Sequence, residues 1–259
     1  AASAARHKAG QALGPLDGVP LTVKDNLYVG GLRATWGSLL FENHIAPRDD
    51  IAVERIRAAG AVIVGKTNTP EFAISAHTDN RVFGVSRNPW DTALTPGGSS
   101  GGAVASVAAG MTPLAIATDA GGSIRRPSGY AGLVGLRPST GRVARCYGFA
   151  PLALDFQAIG PIARTVADAR LAFAILAGAD PRDRLSFAAA AAADAAARRQ
   201  AGRSGPLRPS PTMPAAPSRR PHRPTTSRKS PACSAACRLP VWPASWRVTP
   251  TGASASTLR

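Results

Sequence analysis

From residue 14 to about residue 180, helix signals alternate with strand signals, and that alternation predicts an α/β fold built in layers. Three observations carry the prediction. Apolar runs of strand length recur at 18–23, 61–66 and 114–119. Between and after them lie segments with apolar residues at helical spacing, bounded by capping residues and glycines. Composition agrees: hydrophobic residues make up 44% and aromatics only 5%, with Ala and Gly abundant, which suits close-packed helices and Gly-rich turns better than an aromatic-rich sandwich.

The elements follow in order. GVPLTVKDN (18–26) is an apolar run that ends in Lys24. Asp49 and Asp50 are placed to cap a helix through VERIRAAG, with Val53, Ile56 and Arg57 at helical spacing and Gly60 as its stop. AVIVGK (61–66) is a short buried strand, GAVASVAAG (102–110) a small-residue helix and LAIATD (114–119) another strand. Thr165 is placed to cap TVADARLAFAILAG, whose Val166, Ala169, Leu171, Phe173 and Leu176 predict a buried helix closed by Gly178.

The character changes after Phe187, which divides the chain into a domain over 1–187 and a low-complexity tail over 188–259. The tail opens with an Ala run ending in Arg198 and Arg199, and residues 202–259 hold 11 of the 23 prolines. Such a segment buries too little surface to offset its ordering entropy, so disorder is expected. A message read in a shifted frame would give the same composition. The net charge of +16 is concentrated there: residues 191–259 carry 12 Lys or Arg and one Asp, against 19 basic and 14 acidic residues before them. With only Trp242 and Trp246 as interleaved aromatics, the tail gives little ground for a nucleic-acid partner.

Cys146, Cys233 and Cys237 make no even framework and have no His cluster beside them, so neither a disulfide scaffold nor a zinc site is predicted. No apolar run approaches the ~20 residues of a membrane span. The N-terminus lacks a start Met and an apolar signal core; it reads as a chain entered partway, with the cytoplasm as default compartment.

Three segments carry candidate chemistry. In TPGGSSGGA (95–103), Gly97, Gly98, Gly101 and Gly102 flank Ser99 and Ser100, allowing close approach of a ligand or simply a tight turn. A phosphate loop is excluded because no Gly-Lys-Ser/Thr ending follows, and a flexible linker fits poorly because a helix pattern starts at once. In TDAGGSIRRP (118–127), backbone N–H groups of Ala120, Gly121, Gly122 and Ser123 could converge as an oxyanion hole, bracketed by an Asp119–Arg125 pair. The plain alternative is a salt-bridged turn. Lys24, at the end of a buried strand, would lose proton affinity through burial and become a general base, or else snorkel to water. His7, His44, His77 and His222 sit in no motif with a matching nucleophile and acid, which leaves a Ser–His–Asp triad unsupported.

In order and together, these motifs resemble the amidase signature family of Ser–Ser–Lys amidohydrolases. The resemblance runs from about residue 16 to 183, through GVPLTVKDN, GKTNTPEF (65–72), FGVSRNPWD (83–91), TPGGSSGG, TDAGGSIRRPSGYAGLVGLRPSTGRV (118–143) and QAIGPIARTVAD (157–168). It implies a mixed sheet flanked by helices, of which the sequence holds the N-terminal part. It implies Lys24 as catalytic base, Ser99 as bridging serine after a cis Gly98–Ser99 bond, and Ser123 as nucleophile. Ala120, Gly121 and Gly122 correspond to the oxyanion and substrate-binding loop, and Ser100, Asp119 and Arg125 to supporting residues. No metal or organic cofactor is implied.

The activity implied is cleavage of a small-molecule carboxylic amide to acid plus ammonia or amine through a Ser123 acyl-enzyme. TNTPEF lies nearer to free-standing amidases than to the glutaminase component of a tRNA-dependent amidotransferase, which carries Met-Asp before Glu-Phe. The glutaminase reading and an inactive truncated or frameshifted fragment are the alternatives, and a homodimer stays open.

Overall fold

The computed structural model describes residues 1–148 and 156–201. The expectation of a disordered or frame-shifted tail therefore falls, from residue 202 on, outside the described residues. The expected boundary at 187 lies inside a helix, Arg184–Ala201 (α6).

Five strands form one mixed sheet: β1 (Pro20–Lys24), β2 (Val62–Thr67), β3 (Leu114–Asp119), β4 (Val134–Gly135) and β5 (Ala158–Ala163), in the order β2-β1-β3-β5-β4. The pairs β1–β2 and β1–β3 are parallel, whereas β3–β5 and β4–β5 are antiparallel. All six residues of β3 are buried, as expected of a strand covered on both faces. Its alternation sorts the core: Leu114 and Ile116 join Leu21, Val23 and Ile159 on one face, while Ala115 and Ala117 join Ile162 on the other.

Helices cover both faces. Ile51–Ala58 (α2) and Val166–Leu176 (α5) pack on the first through Ala52, Val53, Ile56, Ala169, Ala172 and Leu176. Gly101–Ala108 (α3) and Arg125–Tyr130 (α4) lie on the second, where Ala103, Val104 and Val107 meet Ile124 and Ala131. A short N-terminal helix, Ala2–Lys8 (α1), is tied down by the Arg6–Asp17 ion pair at 2.6 Å.

The helix ends differ partly from expectation. Asp50 occupies the N-cap of α2, but its side chain makes no capping bond; Asp49 turns away to accept from Gly30 N (2.7 Å) and to pair with Arg57. Thr165 caps α5 as its position suggests: its hydroxyl oxygen accepts from Asp168 N at 3.1 Å and its O–H donates to the Asp168 carboxylate at 2.7 Å, a reciprocal cap. The buried stripe of α5 is narrower than the sequence suggests. It runs through Ala169, Ala172 and Leu176, while Val166 and Leu171 face outward.

Candidate active site

The topology brings the three singled-out segments to one place. β1 and β3 are parallel neighbours, so their C-terminal ends lie side by side, and those ends are Lys24 and Asp119. A crevice at the carboxyl ends of parallel strands is where α/β sheets bind ligands. Ser99 and Ser100 enter the same place from the turn that opens α3, and Ser100 N donates to Ser123 O at 3.2 Å.

That turn is packed tightly enough to require glycine. A Cβ on Gly98 would lie 2.9 Å from the backbone of Ala76 and His77. On Gly101 it would lie 2.4 Å from Thr78 Oγ1, and on Gly102 2.4 Å from Asn68 N. The Gly98–Ser99 peptide is cis. The glycines of TPGGSSGG thus let two neighbouring segments, one at Asn68 and one at residues 76–78, close on the serine pair.

Lys24 is fully buried. Its Nζ lies 2.7 Å from Ser99 Oγ, 3.0 Å from Ser100 Oγ and 3.5 Å from Thr118 O. The roles of the two hydroxyls differ. Ser100 spends its proton on Thr118 O at 3.2 Å, so it can only accept from Lys24. Ser99 Oγ–H has no other acceptor among the described residues, so its contact with Nζ can run either way, including from hydroxyl to a neutral amine. Burial pulls the Lys24 amine down to about 7; Asp119 opposes that shift, and nearby Arg145 adds to it.

Ser123 is 8% exposed, and its hydroxyl makes no hydrogen bond with a described residue. The loop before it is shaped by Asp119. Oδ1 accepts from Gly122 N (2.7 Å) and Arg125 Nη2 (2.9 Å); Oδ2 accepts from Ile124 N (2.9 Å), Arg125 Nε (3.0 Å) and Arg125 N (3.2 Å). Against the opposing effect of burial, these donors hold the carboxyl well below the usual carboxylate range. The N–H of Gly122 is therefore already engaged. Those of Ala120, Gly121 and Ser123 have no acceptor among the described residues.

Sequence reasoning left several neighbours without a role. Thr118 accepts through its carbonyl from Lys24 and Ser100, and through its hydroxyl from Asn26 Nδ2 at 2.9 Å, so one residue joins the ends of β1 and β3 to the serine turn. Asp25 accepts from the backbone N–H (3.0 Å) and the hydroxyl of Thr35, and from Lys66 Nζ at 3.4 Å. The signal was there: three consecutive polar residues, Lys24 to Asn26, close a buried strand, and each must find partners.

The sequence and fold are similar to those of known proteins. A family model described as Amidase matches residues 1–208. A glutamyl-tRNA(Gln) amidotransferase subunit from Symbiobacterium thermophilum is 49% identical over 180 residues, which are 69% of this chain and 37% of that protein. The solved structure of the corresponding glutamyl-tRNA(Gln) amidotransferase subunit from Thermotoga maritima superposes with a TM-score of 0.65 at 42% identity, covering 67% of this chain and 38% of the other. A peptide amidase from Stenotrophomonas maltophilia superposes with a TM-score of 0.68 at 36% identity, covering 72% and 39%. The chain spans little more than a third of the length of these relatives.

Proposed function

The chain belongs to the amidase family, and on that premise we propose that it carries the nucleophilic centre of an amide hydrolase, with Ser123 as nucleophile, Ser99 as proton bridge and Lys24 as base. The observation that carries this reading is the 2.7 Å contact between a fully buried Lys24 amine, poised near neutrality, and a Ser99 hydroxyl whose proton has no other acceptor among the described residues.

In the proposed reaction neutral Lys24 takes a proton from Ser99 as Ser99 takes one from Ser123. Ser123 Oγ bonds to the amide carbon, and the oxyanion is received by the N–H groups of Ala120, Gly121 and Ser123. Gly122 serves the same loop from behind, its N–H fixing the turn on Asp119. The carbon–nitrogen bond breaks as Ser99 protonates the departing nitrogen and recovers a proton from Lys24. Water then cleaves the acyl-enzyme by the same relay. Ser100, Asp119 and Arg125 hold the parts in register.

The substrate we favour is the side-chain amide of glutamine. Its support is the 42% identity to the solved glutamyl-tRNA(Gln) amidotransferase component, set against 36% to the solved peptide amidase. That difference outweighs the short TNTPEF stretch, which leans toward free-standing amidases. A partner protein belongs to the same reading.

The test is labelling of the purified chain with a serine-directed fluorophosphonate, read by intact mass beside Ser123→Ala. A single adduct on the parent that is lost in the variant supports the reading. Folded parent that takes no adduct removes it for this chain, and the motifs then record ancestry alone. Glutamine and a C-terminal peptide amide, compared as substrates of labelling-competent protein, separate the two substrate classes.

A further inference from the structure

The backbone ladder between β1 and β3 stops short of the site. Its last pair is Val23 with Ile116, one residue before Lys24 and two before Thr118. Beyond that pair, two hydrogen bonds cross from the end of β1 to β3 among the described residues, and both end on Thr118. Lys24 Nζ donates to its carbonyl at 3.5 Å, and Asn26 Nδ2 donates to its hydroxyl at 2.9 Å. On its other side Thr118 is held by β5, where it pairs with Ile159. The residue before Asn26 faces the other neighbour: Asp25 N donates to Thr67 O at 3.0 Å and its carboxylate accepts from Lys66, both on β2. Asn26 is thus the residue that continues the tie from β1 to β3 once the ladder has ended.

Asn26 is fully buried, and its Oδ1 has no partner. A buried amide left half-satisfied costs free energy that an apolar side chain of the same shape does not. The fold gains little from such a residue, so its use lies in the side-chain bond that it does make, to Thr118.

That bond bears on the direction of proton transfer. A neutral lysine amine has two N–H bonds and one lone pair, and three oxygens surround Lys24 Nζ. Ser100 Oγ, at 3.0 Å, has given its own proton to Thr118 O and can only accept. Thr118 O has no proton to give. These two take the N–H bonds, and the lone pair is left facing Ser99 Oγ, the nearest of the three at 2.7 Å. Thr118 O therefore serves twice: it accepts from the amine, and it keeps the Ser100 proton turned away from it. At 3.5 Å its bond to the amine is at the limit of effective length, so a small slip of Thr118 loses it. Resting on the reading of Lys24 as the base, we propose that Asn26 is a positioning residue: by pinning Thr118 to the end of β1, it holds the acceptors that aim the lone pair of Lys24 at Ser99.

The test combines two readings of the full chain. One is the rate of fluorophosphonate labelling well above pH 7, where the amine is neutral. The other is NMR of lysine carrying carbon-13 at Cε, with Lys24→Met identifying the Lys24 signal. Asn26→Leu keeps the shape and removes the bond. It is expected to slow labelling roughly tenfold, because small misplacements of a reacting group cost at least that much, and to increase the fast motion of Lys24 Cε. Thr118→Val also keeps the shape and is expected to match it. Thr118→Ser gives up packing but keeps the hydroxyl, and is expected to label near the parental rate. A merely structural role would give the reverse order for Val and Ser. Because Asn26 acts through Thr118, Asn26→Leu/Thr118→Val is expected to be no slower than the slower single variant.

Effects of the two substitutions that multiply overturn the proposal, as does a folded Asn26→Leu that labels and moves like the parent. Where Asn26→Leu fails to fold, Thr118→Val removes the other end of the same bond and carries the same two readings. A parent that never labels sinks the hydrolase reading. The motion of Lys24 Cε in Asn26→Leu then decides the positioning role alone, increased in its support and unchanged against it.

Discussion

At Lys24 the requirements of catalysis and of stability oppose each other. Its folded pKa of about 7 stands below the ordinary lysine value of 10.5 because burial penalises the ammonium. Between those values the unfolded chain binds a proton that the folded chain does not, so stability rises with pH across that window. The cost to folding is complete below about 7, on the order of 5 kcal/mol, and vanishes above the unfolded value. Lys24→Met is therefore expected to stabilise the fold by about 1–3 kcal/mol at neutral pH, after the lost bonds to Ser99 and Ser100 are counted. The gain should shrink at pH 10, and urea unfolding at the two pH values reads it directly. The same variant should take no fluorophosphonate, and labelling of the parent should rise with pH through about 7 as the amine loses its proton.

The individual residues were also the most legible part of the site. Lys24, Ser99, Ser123 and the Asp119–Arg125 pair stand out because charged and glycine-flanked serine residues interrupt runs that otherwise read as core. The burial of Arg145 and Asp50 was not legible. An Arg in a loop and an Asp before a helix have ordinary solvent-exposed readings, and only the fold puts both in the interior.

At the scale of elements, the turn after β3 depends on one carboxylate. Asp119 accepts from three backbone N–H groups and from two nitrogens of Arg125, and its proton affinity is depressed accordingly. A depressed carboxyl contributes stability that is complete above its unfolded value of 3.8 and is lost as pH falls through the folded one. Asp119→Asn should cost about 2–4 kcal/mol at pH 7, because an amide cannot replace the charge and turns a donor toward donors. The gap between variant and parent should begin to narrow only below the unfolded value of 3.8, and thermal unfolding at pH 7 and pH 3 reads the full cost and the start of that narrowing.

The start of α3 is a second such element. Ala normally stabilises a helix relative to Gly by about 0.5–1 kcal/mol. Gly102→Ala should instead destabilise, by roughly 2 kcal/mol or more, since its Cβ would meet the Asn68 backbone at 2.4 Å. A Tm above the parent's would refute the packing argument.

Which elements could be read in advance follows from the same forces. β3 and the capped α5 were legible because hydrophobic run and cap agree with the final structure. β5 was not, because Gly160 and Pro161 interrupt it. The strand persists since Pro161 still accepts from Leu136 N (3.1 Å), and a Cβ at position 160 would fall 2.0 Å from Leu136 O. α4 was hidden for a similar reason, although its proline lies in the first turn, where no N–H is required.

At the scale of the whole molecule, the sheet is asymmetric. The last strand on one side, β4, is two residues long and presents little edge. The last strand on the other side, β2, is six residues long and has no strand on its outer side among the described residues. Val62 is 45% and Val64 57% exposed there, and a groove of about 760 Å³ runs alongside, lined in part by Leu32, Ile45, Phe83 and Val85. Unpaired backbone beside exposed β-branched residues is a template for further strand pairing. Protective charge is scarce on this strand: its one lysine, Lys66, is turned inward to Asp25 O, Asp25 Oδ1 and Arg33 O. The chain should therefore self-associate through β2 as its concentration rises. Val64→Lys places a solvated charge on that edge without touching the buried face of β1, so it should leave the Tm within about 2 °C of the parent while suppressing association, since a surface change of this kind alters stability by only about 0.5 kcal/mol. Sedimentation velocity over a concentration series separates the outcomes. Loss of the faster species in Val64→Lys, with fluorophosphonate labelling at the parental rate, places the sticky edge at β2 and keeps it apart from the site at the far ends of β1 and β3. Unchanged association would move it to another surface.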